Sequence, residues 1–242
     1  EDREKFRKWS NTLTDINAMS DALWTLPQMM AFNRYLRNLI EDKRTHPGDD
    51  LVSGLVQVEE AGDKLSEDEL LAMIMLLLVA GHETTVNLIG NGTLALLQNP
   101  EQLALLRDDP SLIHGAIEEL LRYDSPVSLA TERYATEDIA MGGVIIPKGE
   151  LLLVGLGAAN RDPAQFLNPD RLDITRSPNR HLAFGQGIHY CVGAPLARME
   201  GAIAFNTLLR RLPELELAVE PAALKWRSSM ILRGLSSLPV RF

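Results

Sequence analysis

Cys191 is the only cysteine in the chain, and it stands in the stretch Phe184-Gly185-Gln186-Gly187-Ile188-His189-Tyr190-Cys191-Val192-Gly193. A lone free cysteine most often serves as a small buried hydrophobe. Here the neighbours point elsewhere. Gly185, Gly187 and Gly193 permit backbone conformations and close approaches that a Cβ would obstruct, so the loop can pass against a flat macrocycle with its N–H groups turned to the sulfur. A helix-like segment follows over 194–212, with Pro195 in its first turn, where the missing N–H costs little. The positive end of that helix favours a thiolate over a thiol. A single soft anionic ligand presented by a tight loop suits haem iron, held from one side.

Two other groups of residues could do or support chemistry. Ala80-Gly81-His82-Glu83-Thr84-Thr85 interrupts an apolar stretch with a glycine, polar side chains and two β-branched residues, a poor helix interior. The Thr84 hydroxyl can turn back toward the Ala80 carbonyl, loosening the backbone ladder and opening a polar notch for water. Without the cysteine loop, the same residues read as a kink with Glu83 solvated. Glu119 and Arg122 lie three apart on an expected helix and so share a face. Alone, such a pair is an exposed salt bridge worth little.

The elements that must position these groups follow from periodicity and turn signals. Amphipathic helices are expected over 2–13 and 21–45, the latter carrying Leu23, Leu26, Met30, Phe32, Leu36, Leu39 and Ile40 at roughly helical spacing. A further helix covers 50–61, and Ser66-Glu67-Asp68-Glu69 has the Ser-x-x-Glu form of a capping box. The helix it starts should run over about 66–98 until Asn99-Pro100, with two more over 100–107 and 111–124. Residues 125–180 read as short β runs and turns, and 181–242 as the cysteine loop, a long helix and a β tail. The 242 residues, 45% hydrophobic and 24% charged, are ordinary globular material, and one compact unit is expected.

Charge and composition exclude other classes. A net charge of -9, from 33 acidic and 24 basic residues, argues against nucleic acid, which calls for a basic face. One cysteine permits no intrachain disulfide, which fits a reducing, cytoplasmic setting. The longest apolar run, 70–80, is shorter than the roughly 18–20 residues that span a bilayer, so it reads as a buried helix rather than a membrane segment.

The motif Phe184-x-Gly-x-x-His-x-Cys191-x-Gly193, followed by Ala194-Pro195-Leu196-Ala197-Arg198, closely resembles the cysteine-ligand loop of the soluble bacterial cytochrome P450 family. Ala80-Gly81-His82-Glu83-Thr84-Thr85 and Glu119-Leu120-Leu121-Arg122 are similar to two more of its motifs, in the correct order. The resemblance covers essentially the whole chain but begins near the sixth lettered helix of that fold. It implies a mainly α protein with minor β, 1–242 forming a single catalytic haem domain whose N-terminal part is absent.

On this resemblance the metal ligand is Cys191 and the cofactor haem b, iron protoporphyrin IX, contacted by Phe184, Gly185, Gly193 and Ala80. His189 and Arg133 become candidates for the haem propionates, Arg being suited to carboxylates. Glu83 and Thr84 take the acid and alcohol positions that deliver protons during oxygen activation. Glu119, Arg122 and Arg171, the last from Phe166-Leu167-Asn168-Pro169-Asp170-Arg171, are expected to form a buried structural triad behind the loop. Leu78, Val79, Val127, Leu129 and Ile231 become substrate-pocket candidates.

The function implied is a haem-thiolate monooxygenase that uses O₂ to hydroxylate or epoxidise a hydrophobic small organic molecule. No convincing Gly-x-Gly-x-x-Gly fingerprint for flavin or nicotinamide occurs, so an external ferredoxin and ferredoxin reductase are implied as electron donors. Arg180, His181 and Arg198 could form a basic patch for such an acidic donor. Two other classes compete: a truncated, non-catalytic haem-binding or partner-binding remnant, and a cysteine-nucleophile hydrolase. The last fits poorly, because His189 is too close in sequence to be a well-placed base and no oxyanion site is evident.

Overall fold

A computed structural model of the chain describes residues 19–60 and 65–242, with Glu4 and Trp9. Of the helix expected over 2–13, only Glu4 and Trp9 fall within the described residues, both helical. The helices are α1 (Met19–Thr45), α2 (Leu51–Glu60), α3 (Glu67–Gln98), α4 (Pro100–Asp108), α5 (Ile113–Tyr123), the short α6 (Leu156–Ala159) and α7 (Ala194–Arg211). Six short strands, β1 (Arg133–Tyr134), β2 (Ile139–Met141), β3 (Val144–Ile146), β4 (Leu151–Leu152), β5 (Glu216–Leu217) and β6 (Val240–Arg241), form three two-stranded antiparallel pairs, β1–β4, β2–β3 and β5–β6. The architecture is the expected helix-rich one with a minor β component.

The chain divides into two compact units, 1–83 and 84–242, with the division inside α3. In the first, the apolar stripe of α1 delivers Phe32, Leu36 and Ile40 to a core shared with Val56, Leu70, Leu71 and Ile74. Trp9 stacks on Phe32 with ring centroids 5.3 Å apart. The capping box forms as its residue types dictate: the Glu69 carboxylate accepts from the Ser66 N–H at 2.8 Å and from its hydroxyl at 2.8 Å. That start fixes the phase of α3.

In the second unit α3, α4, α5 and α7 enclose a core of Leu88, Leu96, Leu103, Leu106, Ile117, Leu120 and Phe205, closed by Leu172 and Ile174 from the turn-rich segment. α5 carries apolar residues on one face and Glu118, Glu119 and Arg122 toward the segments that follow it.

α3 is continuous α-helix through Gly81-His82-Glu83-Thr84-Thr85. By length and composition alone it is apolar enough to cross a membrane, with a mean hydropathy of 1.6 over one 18-residue window. His82, Glu83, Asn87 and Asn91 along its middle are expensive in hydrocarbon, and Glu83, Asn87 and Asn91 are buried among protein groups.

Candidate haem-thiolate site

The cysteine loop of the second unit is built by short-range bonds. Gly185 and Gly187 take φ values of +70° and +75°, a region other residues avoid. The turn lets Cys191 N–H donate to the Phe184 carbonyl at 2.9 Å, Gly185 N–H to Leu182 O at 2.9 Å and Tyr190 N–H to Gly187 O at 3.0 Å. Gly193 differs from expectation. It caps α7 with φ -82°, which any residue can adopt, and a Cβ there would meet Cys191 Sγ at an ordinary 3.8 Å.

The Cys191 thiol is exposed and stands just ahead of the 18-residue α7, whose first turn contains Pro195 as the sequence predicts. Ile188 and Val192 beside it are 98% and 87% exposed, so the sulfur looks out from an apolar rim. Among the described residues no three His, Cys, Asp or Glu side chains converge as a metal site. A metal at Cys191 must therefore bring its other donors with it, which an iron porphyrin does, and the residues present fit that group.

Behind the loop, Glu119 and Arg122 make a two-pronged pair, Nε to Oε2 at 2.8 Å and Nη2 to Oε1 at 2.9 Å, with both side chains fully buried. The expected third member, Arg171, is not there. Its side chain is exposed and only its carbonyl takes part, accepting from Arg122 Nη2 at 3.2 Å. Arg176 fills the role instead, its Nε 3.0 Å from Glu119 Oε2. The physical reason is the turn at Asn168, whose positive φ of 48° folds the 167–171 carbonyls over the two guanidinium groups. Asn179 Nδ2 and the Asp173 N–H complete the coordination of Glu119.

This cluster reaches the cysteine loop through Asn160. Arg122 Nη1 donates to the Asn160 carbonyl at 2.9 Å, and the Asn160 side-chain oxygen accepts from the Leu182 N–H at 2.6 Å.

The three basic residues near the loop do not form a patch of free charge. Arg198 makes a two-pronged bond to Glu118, 2.6 and 2.9 Å, and His181 Nε2 lies 3.1 Å from the same carboxylate. The Ala183 N–H donates to His181 Nδ1, so Nε2 is the ring nitrogen turned to Glu118. Only Arg180 remains an exposed charge without such a partner.

Arg133 sits in β1 and curls onto its own segment, its Nη1 donating to Thr131 Oγ1 at 2.6 Å and to the Glu132 carbonyl at 2.9 Å. His189 lies exposed in the turn Gly187–His189. The two share no hydrogen-bond partner. Glu83 is 3% exposed, which removes the solvated reading of its carboxylate. Thr85 Oγ1, which carries no role in the sequence reading, donates to Glu200 Oε2 on α7 at 3.0 Å. Thr84 is partly buried and Ala80 exposed.

Of the pocket candidates, Val127, Leu129 and Ile231 come together: Val127 bridges Leu232, Ser128 N–H donates to the Ile231 carbonyl at 2.8 Å, and Leu129 bridges Gly155. Leu78 and Val79 belong to the first unit, packed against its core. Residues missed from sequence hold the segment around Ile231. Asn91 Nδ2 donates to the Arg233 carbonyl at 2.9 Å, Arg233 Nε bonds to Asp124, and the Arg233 guanidinium lies 3.8 Å over the Trp226 ring. Burial pushes the Asp124 carboxyl above its ordinary value, against the pull of Arg233 and Arg161.

Comparison with known proteins agrees with the geometry. The family model for cytochrome P450 matches residues 9–223. The chain is 56% identical over 239 residues to cytochrome P450 107B1 of Saccharopolyspora erythraea, covering 99% of this chain and 58% of that protein. It is 52% identical over 240 residues to the polyketide biosynthesis cytochrome P450 PksS of Bacillus subtilis, covering 99% and 59%. Among solved structures, the myxobacterial cytochrome P450 CYP267B1 in complex with myristic acid superposes with a TM-score of 0.94 at 48% identity, covering 99% of this chain and 60% of that one. The chain thus spans about three fifths of the length of the relatives it matches.

Proposed function

Because the chain belongs to the cytochrome P450 family, we propose that the protein acts as a haem-thiolate monooxygenase on a hydrophobic small organic molecule. The observation that carries this reading is the exposed sulfur of Cys191, held out by a doubly left-handed glycine turn just ahead of α7. When bound there, iron protoporphyrin IX supplies the oxidising chemistry, taking up O₂ and single electrons.

The chain's own residues do the rest. Cys191 would hold the metal through its sulfur, just ahead of the first turn of α7. Phe184, Gly185, Gly193 and Ala80 would contact the porphyrin. Arg133 and His189 bind its propionates, Arg133 by releasing the local carbonyls it now holds. Glu83 and Thr84 relay protons to the reacting oxygen while bulk water is kept away, the buried state of Glu83 being consistent with a shielded relay. Val127, Leu129 and Ile231 are taken as substrate-contacting residues, and Leu78 and Val79 as further candidates for that role.

The substrate class draws support from the relatives, one named for polyketide biosynthesis and one solved with a fatty acid. Electrons come from an external ferredoxin and its reductase, in the cytoplasm. The test is the absorbance of the reduced protein under carbon monoxide. A strongly red-shifted Soret band is expected from thiolate ligation; a band in the ordinary position overturns the proposal.

A further inference from the structure

α5 presents two consecutive carboxylates, and they serve different segments. Successive residues on a helix point about 100° apart. Glu119 therefore reaches Arg122, Arg176, Asn179 and Asp173, whereas Glu118 turns to His181 and Arg198. Those two residues lie on either side of the cysteine loop, His181 just before it and Arg198 in the second turn of α7 beyond it.

Resting on the haem-thiolate reading above, we propose that Glu118 is a positioning residue for Cys191: by holding His181 and Arg198 on one carboxylate it clamps the two ends of the loop that presents the sulfur.

Arg198 extends the clamp into the loop. Its guanidinium lies 4.5 Å from the Phe184 ring centroid, and its Nη1 is 3.2 Å from the hydroxyl of Tyr190, the residue next to Cys191. Phe184 in turn accepts the Cys191 N–H on its carbonyl. One guanidinium thus touches the residue that receives the cysteine's hydrogen bond and the residue that precedes it in sequence.

The loop needs such support. Its own backbone offers the bonds from Gly185, Tyr190 and Cys191 and one from Ala194 N–H to the Cys191 carbonyl, and two left-handed glycines leave it many other conformations in the absence of a clamp. The bond set is also stronger than an ordinary surface ion pair: it is two-pronged, it adds a third donor from a His181 side chain only 3% exposed, and it packs on an aromatic face. The Glu118 carboxyl consequently stays ionised, titrating at about 2: burial alone would raise it, and the bonds from Arg198 and His181 overcome that.

The experiment uses the haem-loaded protein with Glu118→Gln, Arg198→Gln, the double variant and Arg198→Lys, against Glu216→Gln, which loses only an exposed pair with Arg241 on β5–β6. Two readouts are taken: the fraction of the reduced carbon monoxide complex in the red-shifted Soret band, and the rate of haem transfer to apomyoglobin. Glu118→Gln and Arg198→Gln should each shift the band toward its ordinary position and release haem about 10- to 100-fold faster, as loss of an outer partner of a metal ligand does. The double variant should be little worse than either single one, since both break the same clamp. Arg198→Lys keeps the charge but cannot make the two-pronged bond, and it carries the test if Glu118→Gln does not fold.

Variants that match Glu216→Gln in both readouts overturn the clamp. A wild-type protein without the red-shifted band instead overturns the haem-thiolate reading on which it rests.

Discussion

Glu119 and Arg122, three residues apart on α5, close a two-pronged ion pair from which water is wholly excluded, each side chain having no exposed surface. An ion pair in that position is not a surface ornament. Every N–H of the Arg122 guanidinium is matched, two to Glu119 and the other three to the carbonyls of Asn160, Pro169 and Arg171. Removing one partner strands a buried charge, which costs about 3–5 kcal/mol. Glu119→Gln, which leaves both Arg122 and Arg176 without a counter-charge, should take much of a typical domain's stability of about 5–15 kcal/mol. Urea unfolding should show a midpoint far below that of the parent chain, and an unchanged midpoint would remove the cluster's structural role. Arg171→Gln, which loses only an exposed side chain, should move the midpoint little, by about 0.5 kcal/mol or less.

A second prediction concerns the segment that carries Ile231. Gly234 is buried against Asn87 so tightly that an added Cβ would fall on the Asn87 side-chain oxygen. Asn87 is itself 4% exposed and has little room to withdraw. Gly234→Ala should therefore cost about 1–3 kcal/mol through overpacking, and Gly234→Ala with Asn87→Ala should recover part of that loss. Thermal unfolding of the two variants checks it. If the single variant unfolds like the parent, the segment is not fixed at this point and its neighbours Met230, Ile231 and Leu232 are free to shift.

How much of this was legible in the sequence depends on how local each feature is. The turn at Gly185 and Gly187, the capping box at Ser66 and the pairing of Glu119 with Arg122 each involve residues within a turn or two of one another, and the sequence displays them directly. The long helix, expected over about 66–98, runs Glu67–Gln98. Arg171 is expected in the cluster and Arg176 stands there instead, because the left-handed turn at Asn168, just ahead of both, brings the 167–171 carbonyls to the buried guanidinium groups and leaves the Arg171 side chain outside. His181 and Arg198 look like surface charges in sequence because their partner, Glu118, lies 63 and 80 positions away, and its adjacency to Glu119 hides that the two point to different segments. Asn87 and Asn91 gave no signal at all: a buried asparagine in a helix is recognisable only once the segment it packs against, here around Arg233 and Gly234, is in place.

Acid titration offers a third prediction. The Glu118 carboxyl sits at about 2 in the folded chain, against an ordinary 4.5, because the hydrogen bonds from Arg198 and His181 outweigh the upward push of burial. A carboxyl lowered on folding stabilises the fold fully above its unfolded value, and that contribution is lost as pH falls from about 4.5 to about 2. Glu118→Gln should lower the melting temperature at neutral pH and flatten its dependence on pH across that acid window. Melting curves that keep the parent's slope there would show that other carboxyls set the acid limit. Asp124 works in the opposite sense: its carboxyl is raised by burial, so its own term favours the fold as pH falls from that raised value toward 3.8, and Asp124→Asn should remove the gain.

The last prediction tests the proton relay. Thr84 is partly buried on α3, directly after Glu83, which is 3% exposed, and neighbouring Thr85 is engaged with Glu200. The two threonines are therefore distinct: one hydroxyl ties α3 to α7, while the other belongs to the proposed relay. A positioned proton donor is typically worth about 10²–10⁴-fold in rate, so Thr84→Ala should lower product formed per electron consumed and divert those electrons to hydrogen peroxide. Substrate affinity, read from the spectral change on binding, should stay near that of the parent, because the lost group delivers protons rather than holding the substrate. Thr85→Ala should show the reverse balance, a loss of stability from the broken α3–α7 bond with coupling largely kept. Peroxide yield and product yield measured side by side in the two variants separate the roles. Equal coupling in Thr84→Ala and the parent would move the relay elsewhere on α3, whatever the behaviour of Thr85.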